Sequence, residues 1–209
     1  MPSQIPYHTT LDNRYMRILL TSFSGISMIY CITGMPGSGK SVVSDTARSM
    51  GLTVLNMGDV IRDEAKSRGI PISPESLGSL MLELRREHGN SVVAKKCLEK
   101  VRDNRSPIVI EGVRSLDELN YLRSNEKVFL IAVHASPKTR FNRLLRRGRA
   151  DDPKDWKSFE ERDMRELGVG LGSVIALADL VLINEGPIPE LVASVRRIFS
   201  GEVHGKGSG

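Results

Sequence analysis

Eight consecutive residues, Gly34-Met35-Pro36-Gly37-Ser38-Gly39-Lys40-Ser41, constrain this chain more than any other stretch. They satisfy the spacing G-x-x-x-x-G-K-[ST], and their flanks complete the pattern. An apolar, β-forming run, Met28-Ile29-Tyr30-Cys31-Ile32-Thr33, comes before them. Residues 41–50 follow with helical spacing and stop at Gly51. Strand, glycine turn and helix N-terminus in that order make an anion cradle. The glycines let the backbone wrap a phosphate chain, successive N–H groups point inward, and the helix dipole favours negative charge. A lysine ending such a loop reaches the β- and γ-phosphates of a nucleoside triphosphate, and the next hydroxyl is a ligand for Mg²⁺. The expected ligands are therefore a nucleoside triphosphate and Mg²⁺; ATP is taken as the donor, with the preference over GTP left open. Gly34, Met35, Pro36, Gly37, Ser38, Gly39, Lys40, Ser41 and Val42 form the nucleotide cradle, and Ser41 sits on the metal.

Strand-like and helix-like runs alternate along the rest of the chain. Leu52–Asn56, Pro107–Glu111, Val128–His134 and Ala178–Asn184 read as further buried strands. Asp59 reads as the N-cap of a helix that Gly69-Ile70-Pro71-Ile72 breaks, and Ser73-Pro74 opens the next one. Leu77, Leu80, Met81 and Leu84 form its apolar stripe, and a third helix runs from Ser91 to about Arg102. Three helices between two strands exceed what a crossover needs. An insertion at about 58–103 that holds a second substrate is the expectation. Leu116–Leu122 is helical, Ser136-Pro137 opens a helix rich in arginine, residues 148 to about 165 are polar, and Pro187–Phe199 closes the domain. The fold class is α/β: a parallel five-stranded sheet with helices on both faces, its ligands beyond the C-terminal ends of the strands.

The 209 residues suit one such domain, 28–200, between an extension at 1–27 and a polar tail at 201–209. The extension is expected to be disordered or loosely docked, or to precede a translation start at Met28. Cys31 and Cys97 form no CxxC and read as reduced core residues of a cytoplasmic protein. No apolar run reaches the ~20 residues of a membrane span. The net charge of +5 suits phosphate-rich small ligands. Nucleic acid is disfavoured, because aromatic residues are only 5% and the basic residues interleave with acids. The oligomeric state is not legible.

Three groups of residues supply what phosphoryl transfer needs beyond the loop. Glu111 ends a buried strand, where an acid faces Mg²⁺ and orients metal-bound water, acts as base, or does both. Arg140, Arg143 and Arg147 share a helical face, with Arg149, Arg162 and Arg165 in or near the polar segment. Guanidinium forks grip phosphate oxygens, so these are candidate transition-state clamps on a closing lid at about 148–165. Asp59, Arg62, Arg85 and Arg86 lie in the insertion, where an acceptor bearing its own phosphate needs a cation, Arg62 foremost.

This pattern resembles the nucleoside monophosphate kinases of the adenylate kinase superfamily. The Gly34–Ser41 loop, Gly58-Asp59-Val60-Ile61-Arg62 (similar to G-D-x-x-R) and Glu111-Gly112-x-Arg114 (similar to D-G-x-x-R) occur in the family's order, over Met28 to about Phe199. More closely, the chain resembles a mainly archaeal group described as adenylate-kinase-related or dephospho-CoA-kinase-like. Arg147-Gly148-Arg149-Ala150-Asp151-Asp152-Pro153, Arg162-Asp163-Met164-Arg165-Glu166 and Ala178-Asp179…Asn184-x-Gly186 carry that likeness. The resemblance implies a P-loop kinase with Arg143 and Arg147 as lid-hinge arginines, Arg162 and Arg165 as catalytic lid arginines, and Arg114 beside Asp59 and Arg62 in acceptor binding. The acceptor stays open between a nucleotide and a dephospho-CoA-like molecule. A P-loop ATPase or nucleotide switch with no small acceptor is the other reading.

Overall fold

The computed structural model describes residues 28–102, 107–149 and 152–200. The expected extension at 1–27, the tail at 201–209 and residues 150–151 of the expected lid lie outside the described residues. Five strands, β1 (Met28–Thr33), β2 (Thr53–Asn56), β3 (Ile108–Glu111), β4 (Lys127–His134) and β5 (Leu180–Ile183), form one sheet in the order β2-β3-β1-β4-β5. Every pairing is parallel. Nine helices connect and cover the described strands: α1 (Lys40–Ser49), α2 (Met57–Ser67), α3 (Pro74–His88), α4 (Val92–Val101), α5 (Leu116–Asn125), α6 (Pro137–Arg147), α7 (Trp156–Gly168), α8 (Leu171–Ala176) and α9 (Ile188–Ser200).

Alternation along the strands divides the core in two. Ile29, Cys31, Ile108, Ile110 and Leu130 face one side, where α2, α3, α4, α5 and α8 cover them. Tyr30, Ile32, Val109, Phe129 and Ile131 face the other, against Val43 and Ala47 of α1 and Leu191, Val195 and Ile198 of α9. A parallel sheet needs both faces buried, and this division supplies that. Cys31 and Cys97 are both free and fully buried.

Capping chemistry sets the helix starts. Ser73 and Ser115 each cap a helix and complete a capping box, with Ser76 and Glu118 respectively. The first turn of α2 departs from expectation. Asn56, not Asp59, is its N-cap, and its Oδ1 accepts from Gly58 N at 2.8 Å. The strand runs straight into the helix, because an Asn side chain satisfies an orphan N–H two residues on and no loop is needed. Asp59 lies inside the first turn, ion-paired with Arg62.

The polar stretch after Gly148 is also more ordered than its composition suggests. Asp155 and Ser158 form a capping box that starts α7. Its first turn then docks Trp156 and Phe159 on Phe141 of α6, with ring centroids 5.1–5.5 Å apart. Phe159 is 1% exposed, so two aromatic residues anchor a helix that charge otherwise dominates.

Candidate functional site

The octapeptide leaves the central strand and closes tightly. Ser38 N donates to Met35 O at 3.1 Å, and Val42 N to Gly39 O at 3.0 Å as α1 begins. Gly34 has φ +143° and packs so closely that a Cβ would overlap the carbonyl oxygen of Val133 on β4. Gly39 has φ +107°, and there a Cβ would overlap Nδ2 of Asn184. Only glycine fits at either position. Asn184, itself 4% exposed, follows β5 and braces the loop from outside. Its Nδ2 donates to Ser38 O at 2.7 Å, and its Oδ1 accepts from Arg143 Nη2 at 3.3 Å.

Lys40 bends back over this turn. Its Nζ donates to Gly34 O at 2.7 Å and Met35 O at 3.2 Å. Burial pushes its ammonium down to about 8, the Arg114 charge adds to the effect, and Glu111 and Glu166 oppose it. Polyphosphate oxygens suit such an amine better than two neutral carbonyls do. Ser41 is exposed at the start of α1. Glu111 ends β3 beside Ile32 of β1 and Asn56 of β2, and is 9% exposed. Its Oε2 accepts from Ser44 Oγ at 2.6 Å. Just past it, Gly112 N donates to Ile32 O at 2.9 Å and Thr33 Oγ1 to Val113 O at 2.8 Å, zipping the end of β3 to β1.

This donor set fits Mg²⁺ rather than a metal held by protein alone. Among the described residues no group of three or more His, Cys, Asp or Glu could hold an ion. One hydroxyl and one carboxylate beside a phosphate cradle is the set that Mg²⁺ completes with water and phosphate oxygens.

The arginines divide into a strut and several carboxylate-held forks. Arg140, expected on the phosphate-facing side with Arg143 and Arg147, is a strut. It is 3% exposed and donates through Nε to Ala135 O at 3.1 Å and through Nη1 to Pro36 O at 3.2 Å. It also grips Asp163 of α7 with both Nη atoms, Nη1 to Oδ1 at 2.8 Å, and lies over the Phe159 ring. Four of its five N–H donors are engaged by protein and the side chain is buried, so it is placed as a support and not as a phosphate fork. Helical spacing put it on the arginine face, but the short distance to the back of the loop buried it.

Arg147 and Arg162 converge on Asp152. Arg147 Nε donates to Oδ2 at 2.8 Å and Nη2 to Oδ1, while Arg162 Nη1 reaches Oδ1 at 3.3 Å. The Arg147 hydrogen bonds, with the Arg149 N–H and the Arg162 charge, hold the buried Asp152 carboxyl down to about 2. Arg165 is exposed on α7 and makes no side-chain ion pair among the described residues.

On the insertion side, Glu118 gathers Arg85 and the residues that follow β3. Its Oε1 accepts from Arg85 Nη2 at 3.3 Å and its Oε2 from Arg114 N at 2.9 Å. The Arg114 side chain pairs with Glu166 of α7 at 3.0 and 3.1 Å. Those two side chains, with Gly34, Pro36, Lys40 and Gly112, line a small open cleft over the loop. Arg62 is not drawn into this group; its half-exposed side chain pairs with Asp59 at the start of α2.

Sequence reading alone did not single out Ser44, Asn184, Asp152 or Glu118 for these contacts. Glu118 left a signal in the Ser115-x-x-Glu118 capping box, and Asp152 and Asn184 lie inside motifs that carry the resemblance. Ser44 left none, since a small residue on the buried face of a helix reads as packing.

The glycine loop on the central strand of a 2-3-1-4-5 parallel sheet, with an acid ending the neighbouring strand, defines a P-loop protein of the nucleotide-kinase-like kind. The chain belongs to the family described as AAA domain, whose profile matches residues 31–166. It also belongs with the UPF0200 proteins. It is 51% identical over 174 residues to one from Hyperthermus butylicus, covering 83% of this chain and 94% of that one. To one from Methanocaldococcus jannaschii it is 48% identical over 157 residues, covering 74% and 80%. Among solved structures, TT1252 from Thermus thermophilus superposes with a TM-score of 0.61 at 18% identity, over 86% of this chain and all of that one. Shikimate kinase from Acinetobacter baumannii gives 0.53 at 14% identity, over 88% and 99%. These likenesses establish the fold. No helix among the described residues is long and apolar enough to cross a membrane.

Proposed function

We propose that this chain is an ATP- and Mg²⁺-dependent phosphotransferase that moves the γ-phosphoryl of ATP to a small acceptor, a nucleotide carrying its own phosphate. The observation that carries the reading is the loop itself: an amide-lined turn whose half-buried Lys40 ammonium, among the described residues, hydrogen-bonds the carbonyls of Gly34 and Met35 alone, at the foot of a cleft that also holds Arg114. Phosphoryl transfer asks for positioning and charge stabilisation and little covalent chemistry. Lys40 and the amides of residues 34–42 would hold the polyphosphate, and Arg143, braced by Asn184, would flank the donor. Ser41 and Glu111 would hold Mg²⁺, which neutralises charge on the transferring group when bound. Arg162 and Arg165 would close over that group from a lid at about 148–165, with Arg147 at its hinge. Asp59, Arg62 and Arg85 of the insertion at about 58–103 would receive the acceptor, together with Arg114 just after β3.

The supporting pattern is that arginines placed for anions hold carboxylates instead, namely Arg62 on Asp59, Arg114 on Glu166, and Arg147 and Arg162 on Asp152. A carboxylate is the protein's own substitute for a phosphate. The test is turnover of γ-labelled ATP with Mg²⁺ and a panel of nucleoside monophosphates, nucleosides and dephospho-CoA. Label transfer to a nucleoside monophosphate is the expected result, and Arg62→Ala should then raise the acceptor KM. Transfer to dephospho-CoA would replace the nucleotide acceptor, and ATP hydrolysis indifferent to every acceptor would replace the kinase with a switch.

A further inference from the structure

We infer that Ser44 is a positioning residue for the metal site, holding the Glu111 carboxylate in register with the phosphate loop; this rests on the proposed Mg²⁺·ATP site. A serine within a helix ordinarily turns its hydroxyl back to a carbonyl one turn earlier. In the same helix Thr46 does so, donating to Val42 O at 2.7 Å. Ser44 sends its proton across the layer instead, to Glu111 Oε2 at 2.6 Å. Ser44 is 0% and Glu111 9% exposed, so the bond forms where water does not compete for it.

The geometry explains what this bond does. The Glu111 backbone is fixed between Ile32 and Asn56 by the parallel ladder. Three side-chain torsions remain free, and a carboxylate on so long an arm does not choose one position unaided. Among the described residues, Ser44 is the one side-chain hydrogen-bond donor to that carboxylate. It fixes one oxygen and leaves Oε1 to other ligands. Ser44 also lies three residues beyond Ser41, hence on the same side of α1. The hydroxyl proposed for the metal and the hydroxyl that steers the acid are thus parts of one rigid helix, and α1 itself begins at Lys40. Mg²⁺ demands near-octahedral geometry, so a carboxylate that swings loses affinity although no ligand is missing.

The test is equilibrium binding of a fluorescent ATP analogue to the full chain, titrated with Mg²⁺ and repeated in EDTA. Ser44→Ala should raise the Mg²⁺ concentration needed for half of the metal-dependent affinity gain by about 10-fold. Affinity in EDTA should stay within about twofold of wild type, because the loop amides and Lys40 are untouched. In a Glu111→Gln background, Ser44→Ala should change the metal dependence no further, the signature of action through that carboxylate. Ser44→Cys, which is slightly larger and keeps a weaker donor, should fall between, and it carries the test if the alanine variant does not fold. A folded variant with wild-type Mg²⁺ dependence, or one that loses affinity equally with and without metal, overturns the assignment. Wild-type protein that gains no affinity from Mg²⁺ would instead overturn the site on which the inference rests.

Discussion

Around Gly34–Ser41 the backbone itself holds the site, whereas on the side facing α7 arginine–carboxylate pairs hold it. In the loop the constraints are left-handed glycines, amide hydrogen bonds and the Asn184 brace on Ser38 O. Across the cleft they are Arg114–Glu166, Arg147–Asp152 and Arg162–Asp152. A shape made by backbone is intolerant of change but ready before the ligand arrives. A surface made of ion pairs can exchange a carboxylate for a phosphate with little reorganisation. Arg140–Asp163 joins the two, since one guanidinium touches both Pro36 of the loop and α7.

Substitutions test this contrast, beginning with the largest effect. Gly34→Ala meets the Val133 carbonyl, which cannot move aside within the sheet, and should cost more than about 4 kcal/mol in chemical denaturation. Near-normal stability would mean that the loop is less rigid than the contrast requires. Arg140→Ala leaves Asp163 half-buried and uncompensated and should cost about 3–5 kcal/mol by the same measurement. A loss below about 1 kcal/mol would remove Arg140 as the link between the two sides.

Two further predictions concern pH. The Asp152 carboxyl is depressed to about 2 in the folded protein by Arg147 first. Its stabilisation is complete above the ordinary aspartate pKa of about 4 and is lost as pH falls toward 2. The denaturation midpoint of wild type should therefore fall more steeply over that window than that of Asp152→Asn; parallel curves would deny the pair its role. Lys40 is displaced the other way, to about 8 by burial. Polyphosphate favours its charged form, so nucleotide affinity should weaken as pH rises through about 8, with proton uptake on binding in calorimetry across buffers of different ionisation enthalpy. A flat profile between pH 7 and 9 would place Lys40 outside the contact. The smallest effect belongs to the exposed Arg114–Glu166 pair. Glu166→Gln frees Arg114 and should change anion affinity by no more than about fivefold, an effect that salt erases.

Local grammar carried most of the fold. The five strands, their parallel sense and the cap at Ser73 follow from apolar runs, their alternation with helices and short polar signals that act over four or five residues. The α2 start was misplaced because Asn56 and Asp59 are both good caps, and only the abrupt end of β2 chooses between them. Helix α7 was missed because its composition is polar, and its docking rests on Trp156 and Phe159 meeting Phe141 from another helix. Arg140 departs from its expected role for a related reason. Spacing places Arg140, Arg143 and Arg147 on one side of α6, but distance to Pro36, Asn184 and Asp152 makes one a strut and leaves the others as forks.

By itself, the amino-acid sequence determined the phosphate cradle, since a strand, four small steps of glycine and serine, a lysine and a helix specify a turn within a dozen neighbouring residues. Tertiary structure alone decided which oxygen each polar side chain would meet. Ser44 finds Glu111 67 residues away, and Asn184 finds Ser38 146 residues away. Such pairs depend on the strand order 2-3-1-4-5, which brings residues distant in the chain together at the C-terminal ends of the strands. A hydrogen bond is decided by tenths of an ångström, and periodicity resolves no more than which face a residue occupies.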